Sequence, residues 1–261
     1  MSHDFLSKIR EDLAEPERTR KLNRELFTLI APQYDEATRY LSLGRDAFWK
    51  DRLIAGLPKQ AAPVCLDLAC GTGDLTRRLA AKYPEGSVTG LDLTEAMLTQ
   101  ARLQSHSEKI RYIIGDMGHT GLPDNSIDII TGGYALRNAG DLQEALREVH
   151  RILKPGGTAV FMDFSKPANR GLQYIGHTII KLWGGTWGWI LHRDPRVYTY
   201  IADSLERYPN RRDLTEILQE IGFENLRTHH AFLGLIECLT VEKSKNPHPS
   251  HLPSDLLTFL E

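Results

Sequence analysis

Apolar positions change their spacing along this chain. From Leu6 to Leu57 they recur at three- and four-residue intervals, and the pattern predicts helices interrupted near Ala31-Pro32. Leu41, Phe48, Trp49, Leu53 and Leu57 supply the apolar face of the last of these. From Ala61 onward short apolar runs take over. Val64–Ala69, Ser87–Leu93, Ile110–Gly115, Ile127–Thr131 and Thr158–Phe164 read as strands, separated by helices over Leu75–Ala81, Thr94–Gln104 and Leu142–Leu153. The Thr94 hydroxyl is expected to cap its helix, and Lys154-Pro155-Gly156-Gly157 to stop the third one. Strand and helix alternating in this way imply a mostly parallel sheet with helices on both faces, because each parallel crossover needs a dozen or so residues. Ala168–Tyr208 is mostly helical, Leu214–Ile221 forms a helix ending at Gly222, and Asn225–Phe232 with Ile236–Glu242 form a hairpin around Gly234.

The organisation that follows is a helical N-terminal lid over residues 1–60, a sheet domain over 61–243 with a helical lid inserted at about 168–208, and a flexible tail over 244–261. Within the tail, Ser244–Pro253 reads as mobile and Asp255–Glu261 as a short amphipathic helix. The most apolar long stretch, Tyr174–Leu191, is interrupted by His177, Lys181 and several glycines and falls short of a membrane span, so it reads as a buried or interfacial helix with a loop.

Composition narrows the classes. With 261 residues, 25% charged and 41% hydrophobic, the chain is neither disordered nor fibrous nor polytopic. Its 32 basic and 34 acidic residues leave a net charge of −2, so no strong field marks a nucleic-acid binder. Three cysteines, Cys65, Cys70 and Cys238, form no CxxC pair, and the histidines have no HExxH spacing, so no metal is expected. The charged N-terminal stretch lacks the apolar core of an export signal, and a reducing, cytoplasmic setting is the expectation.

The candidate chemistry begins at LDLACGTGDL, Leu66–Leu75. Gly71 and Gly73 permit a tight strand-to-helix turn and a close approach of backbone N–H groups to a ligand; a plain turn is the alternative. Asp92, about twenty residues on at the next strand end, suits the hydroxyls of a ribose. The loop has neither the spacing of a dinucleotide site nor the GK[ST] of a P-loop, so an adenosine without phosphates fits better, with Asp67 facing its positive end. Asp116 ends the third strand, where it can accept from an adenine amino group while Met117 packs on the ring.

These segments carry a resemblance. LDLACGTGDL, the acid in GLDLTEAML, GDM and HRILKPGGT resemble the motif series of class I S-adenosylmethionine-dependent methyltransferases. FTLIAPQYDEATRYLSLGRDAFWK, LPDNSIDIITGGYALRNAGD, MDFSKP and RDPRVYTYIADSLERYP narrow it to the UbiE/COQ5 family of ubiquinone/menaquinone C-methyltransferases, over roughly Phe27 to Gly234. The resemblance implies a Rossmann-like seven-stranded sheet, S-adenosylmethionine as cofactor, no metal, and methylation of a ring carbon of a prenylated benzoquinol or naphthoquinol. Its cofactor contacts fall on Thr72, Asp92, Asp116, Met117 and Gly133, its catalytic pair on Arg137 and Asn138, and its N-terminal lid motif on Tyr34 and Asp35. The chain departs from the family pattern at Cys70, at Gly132-Gly133 before Tyr134, and in the closing LGLIECLTVEKS.

Carbon methylation needs an ionised phenol, whose pKa is ordinarily about 10. A fixed cation within about 4–6 Å lowers it, and Arg137 is the candidate counter-ion, with Asn138 orienting the acceptor oxygen; an ordinary surface ion pair is the alternative for Arg137. Trp183, Trp187 and Trp189, near Tyr198 and Tyr200, read as lid packing or as the cover of a flat, greasy ring. Tyr34, Tyr134, Trp183 and Tyr200 are the expected acceptor contacts. Another phenolic metabolite or an amine lipid is the alternative acceptor, and a cofactor-binding subunit without activity the alternative role. The sequence also leaves open a peripheral membrane contact and a homodimer.

Overall fold

The computed structural model describes residues 15–105 and 107–245; residues 1–14 of the expected N-terminal lid and residues 246–261 of the tail expected over 244–261, its terminal helix included, lie outside the described residues. Helix α1 (Pro16–Ile30) starts with proline where a missing N–H costs nothing, and buries Leu22, Leu26 and Ile30. One 3₁₀ turn, Ala31–Gln33, stands at the expected break, before α2 (Tyr34–Leu41) and α3 (Asp46–Ala55). Trp49, Leu53 and Leu57 are buried, but Phe48 is 49% exposed, with the Arg45 and Arg52 guanidinium groups over its ring. Adjacent helical residues point about 100° apart, so Phe48 and Trp49 cannot share one inward face.

Strands and helices then alternate: β1 (Val64–Leu68), α4 (Asp74–Lys82), β2 (Ser87–Asp92), α5 (Glu95–Gln104), β3 (Ile110–Ile114), β4 (Ile127–Gly133), α6 (Leu142–Ile152) and β5 (Leu153–Phe164). Helices α7 (Arg170–His192), α8 (Arg196–Arg207) and α9 (Arg211–Ile221) follow, then β6 (Phe223–Ala231) and β7 (Ile236–Lys243). The seven strands form one sheet in the order β3-β2-β1-β4-β5-β7-β6. The first five are parallel and β7 inserts antiparallel between β5 and β6. This is the mostly parallel sheet that the alternating pattern implies and the Rossmann-like, seven-stranded architecture that the resemblance implies.

Two local expectations fail. Thr94 stands at the N-cap of α5 without a side-chain capping bond; its backbone N–H instead donates to Asp92 Oδ1 at 2.9 Å. The Lys154–Gly157 stretch does not separate helix from strand, because β5 already begins at Leu153. Gly156 takes φ +79° where the β4–β5 register shifts, so the glycine accommodates an irregularity inside the strand rather than ending an element.

The third correction concerns Tyr174–Leu191. The structure has no loop there: α7 is continuous over its 23 residues. Its buried glycines let α8 pack against it closely. A Cβ on Gly184 would lie 2.8 Å from the Tyr198 carbonyl oxygen, and one on Gly188 2.7 Å from that of Asp194. These neighbours are backbone and cannot swing aside. Gly184→Val is therefore expected to lower the unfolding free energy by about 1–3 kcal/mol, read as a drop in the urea midpoint. An unchanged midpoint would mean that α8 is not seated on that glycine.

Candidate active site

Strand order reverses between β1 and β4, so the loops leaving their carboxyl ends run to opposite faces and open a crevice between them. Ala69, Gly71 and Gly73 all take positive φ in the turn after β1, which folds it back tightly enough for the Gly71 N–H to donate to Asp92 Oδ2 at 2.9 Å. Asp92 is 7% exposed, and burial pushes its carboxyl up to about 6.

Two chambers occupy the crevice. The polar one is lined by Gly71, Asp92, Met97, Asp116, Met117 and Gly133, and roofed by Arg20, Asn23 and Phe27 of α1. The apolar one, a cavity of about 340 Å³, lies under α2, α7 and the β6–β7 turn, with Trp49, Arg137, Phe164, Trp183, Tyr200 and Phe232 in its wall. Phe27, Tyr34, Tyr134 and Asn138 line both. The chambers therefore meet at a partition made from α1, α2 and the turn after β4.

The expected residues divide accordingly. Gly71, Asp92, Asp116, Met117 and Gly133 share the polar chamber, and Arg137, Trp183 and Tyr200 the apolar one. Asp67, Thr72 and Gly73 are not brought to either wall. Asp67 does not face a ligand: its oxygens accept from Thr76 Oγ1 at 2.6 Å and Thr131 Oγ1 at 2.8 Å, and burial lifts its carboxyl to about 6. Thr72 Oγ1 donates to Asp35 Oδ1 at 2.5 Å, tying the turn to α2. Gly73 packs under Tyr112, whose hydroxyl would sit 2.5 Å from any Cβ there. Trp183 donates its indole N–H to the Tyr40 carbonyl at 3.2 Å, Trp187 stacks on Tyr40 at 4.0 Å, and Trp189 stands 55% exposed.

Arg137 is not a surface ion pair. Its side chain is 2% exposed and its Nε lies 3.3 Å from Asp163 Oδ1. Nη1 donates to Ser204 Oγ, and the guanidinium sits 5.6 Å from the ring centroids of both Phe164 and Tyr200. Asp163 sits against its charge, so Arg137 offers directed N–H donors within a buried ion pair. Asn138 spends its amide on the Tyr134 carbonyl at 2.8 Å, and its own carbonyl accepts from Asn23 at 2.6 Å.

Sequence reasoning missed the α1 roof. Arg20 Nε donates to Asp116 Oδ2 at 2.6 Å, and Arg20 also pairs with Glu144 and Glu17. Asn23 Oδ1 is buried without a hydrogen-bond partner. Asp116 and Glu144 lie 96 and 124 residues from Arg20, and no local spacing announces such contacts. Met97, inside GLDLTEAML, had a signal: it sits one turn past the strand-end acid, on the face toward the crevice.

The model of the ubiE/COQ5 methyltransferase family matches residues 15–242. The chain is similar to a 2-phytyl-1,4-naphtoquinone methyltransferase of Thermosynechococcus vestitus, 36% identical over 83% of this chain and 96% of that protein. It is also similar to a demethylmenaquinone methyltransferase of Lactobacillus johnsonii, 34% identical over 77% and 84%. Among solved structures it resembles a phosphoethanolamine N-methyltransferase 2 of Haemonchus contortus in complex with S-adenosylhomocysteine, with a TM-score of 0.61 and 15% identity over 83% of this chain and 59% of that one. That likeness bears on the fold.

The buried carboxyls make stability depend on pH in a defined direction. Asp67 and Asp92, raised from about 4 to about 6, keep a proton in the folded chain where the unfolded chain has lost it. The folded state then binds more protons between those values, and the unfolding free energy falls as pH rises from about 4 to about 6. Each group contributes up to about 3 kcal/mol to that fall. Urea unfolding across this range is expected to show Asp67→Asn losing part of the decline; a decline identical to the wild type would overturn the assignment.

Proposed function

This chain belongs to the ubiE/COQ5 methyltransferase family, and we propose that it transfers the methyl group of S-adenosylmethionine to a ring carbon of a prenylated quinol of demethylmenaquinol or benzoquinol type. The observation that carries this reading is the paired chamber: a polar cavity with a strand-end acid, joined through Tyr34, Tyr134 and Asn138 to an apolar cavity walled by aromatic rings. A small polar phenol has little use for such an apolar wall.

The polar chamber suits the cofactor. Asp92 faces the chamber and already accepts from backbone N–H groups of Gly71 and Thr94, bonds that ribose hydroxyls would share or replace, and Asn23 Oδ1 is an acceptor still without a donor; an adenosine supplies both hydroxyls and an amino group. When bound, S-adenosylmethionine supplies a methyl group on a positively charged sulfur. In this reading Asp92 holds the ribose, Met117 and Met97 flank the base, and Gly71 and Gly133 leave room for the cofactor's chain. Arg137 orients the acceptor oxygen as a donor held rigid by Asp163, and Asn138, at the partition, holds the turn carrying Tyr134 beside it. Tyr34 and Phe27 close the partition and keep water from the reacting atoms.

We place the acceptor's tail toward α7, whose Ile175, Ile179 and Leu182 are more than half exposed beside the apolar chamber. No helix among the described residues is long and apolar enough to cross a membrane. A peripheral contact through this face would let a lipid-borne acceptor enter directly from a bilayer surface.

The test is methyl transfer from labelled cofactor to a panel of reduced naphthoquinols, benzoquinols, simple phenols and lipid amines, with mass analysis of the product. Methylation confined to the phenols or amines would overturn the acceptor class. Asp92→Ala is expected to weaken cofactor binding by about 10–100-fold in calorimetry, with an unchanged circular dichroism spectrum. Wild-type affinity in the folded variant would remove Asp92 from the cofactor site.

A further inference from the structure

Methylation of a ring carbon releases one proton per turnover, and the partition between the chambers holds a group built to handle it. Tyr134 stands at the end of β4 and lines both cavities. Its backbone is held at φ +57°, a conformation costly for a large side chain and kept only where the surroundings demand it. Its N–H donates to the Met162 carbonyl at 2.6 Å, and its hydroxyl donates to Asp46 Oδ1 at 3.0 Å. Asp46 opens α3, is 9% exposed, and reaches Tyr134 across 88 residues of sequence.

Building on the methyltransferase reading, we propose that the Tyr134 hydroxyl, backed by the Asp46 carboxylate, takes the proton of the acceptor hydroxyl during methyl transfer. The acceptor O–H proton moves to Tyr134 Oη as the Tyr134 proton moves to Asp46 Oδ1. The electron pair released on the acceptor oxygen enters the ring. The neighbouring ring carbon bonds to the methyl carbon, and the old carbon–sulfur pair stays on sulfur as a neutral thioether. The methylated ring now has a carbonyl beside a carbon bearing both hydrogen and methyl. That carbon loses its proton to water, and the carbonyl oxygen regains a proton from the Tyr134–Asp46 pair. The pair ends as it began, and the net product is one proton in solvent.

The surroundings hold both groups in position. Lys50 Nζ lies 2.7 Å from Asp46 Oδ2 and 3.1 Å from Asp74 Oδ2, so an ammonium from the same helix holds the Asp46 carboxyl in place and bridges it to Asp74 on α4. Ser42 Oγ accepts from the Asp46 backbone N–H at 3.2 Å. Around Tyr134 stand the Tyr34 hydroxyl on α2 and Asp163 on β5. Burial and these acids push the Tyr134 hydroxyl well above its ordinary value, so it stays protonated and relays rather than ionises. Arg137, neutralised by Asp163, orients the acceptor and leaves the proton to this pair.

The test compares wild type with Tyr134→Phe, Asp46→Asn and the double variant. The acceptor is a short-chain 2-prenyl-1,4-naphthoquinol held reduced, and S-adenosylmethionine is saturating, so that titration of Asp92 does not enter kcat. Each single variant is expected to lose about 10²-fold in kcat near neutral pH, with calorimetric affinity for cofactor and for the oxidised 2-prenylnaphthoquinone unchanged. The wild-type kcat should rise along one acid limb to a plateau. In the variants that limb is replaced by a rate climbing toward the acceptor's own ionisation. The double variant should be no slower than the slower single one, because both changes cut one path. Tyr134→Phe leaves the Asp46–Lys50 pair in place, which separates the proton path from any unfolding of Asp46→Asn. A wild-type pH profile in Tyr134→Phe, or multiplying losses in the double variant, overturns the proposal while the methyltransferase reading stands. A wild type that methylates no quinol at all overturns both.

Discussion

A parallel strand delivers its chain to one edge of a sheet and must send it back across a face before the next strand begins. With β1 at the middle and strands added first toward β3 and then toward β5, neighbouring connections at β1 and β4 leave in opposite directions. The gap at that point is a consequence of topology and would exist whatever residues lined it. Everything chemical in this protein gathers there: the glycine turn, the strand-end acids, the 3₁₀ turn carrying Arg137 and Asn138, and the helices that roof them.

The crevice floor alone would bind a ligand weakly and leave it wet. Helices α1 and α2 close it from above, and they are tied down by charge. Arg20 reaches the acids at the end of β3 and on α6, and Asp35 takes the Thr72 hydroxyl. On the other side α7 and α8 seal the apolar chamber through a glycine-lined contact. A site formed between a fixed sheet and separately attached helices can admit a bulky acceptor and still exclude water once filled.

The buried cations beside the chambers are each matched by a carboxylate. Arg137 with Asp163, Arg20 with Asp116, and Lys50 with Asp46 each bring a cation and a carboxylate together at or beside a chamber wall. A single buried ion would be too costly to keep, whereas a neutralised pair fixes donors and acceptors in place without a large net field. Orientation, more than raw charge, is what these side chains offer the chemistry.

The alternation of apolar runs and helical spacings was enough to place nearly every strand, because burial on both faces leaves a parallel strand little freedom of composition. Gly71 and Asp92 were readable for a similar reason: a sharp turn and a strand-end acid are local requirements written in adjacent residues. Two errors came from reading glycine as punctuation. At Gly156 it sits within a strand, and on α7 it makes room for a neighbouring helix; which of these a glycine does depends on what approaches it. The placement of Asp67 failed because Thr76 and Thr131, which absorb its hydrogen bonds, belong to different elements. Arg20 over Asp116, Asp163 beneath Arg137, and Asp46 against Tyr134 span 96, 26 and 88 residues. The sequence by itself determined the sheet and its crevice, since those follow from short-range periodicity and turn chemistry. Only the tertiary structure decided which polar groups face the ligand and which face each other, because a hydrogen bond is a contact of about 3 Å between atoms whose separation along the chain carries no information about it.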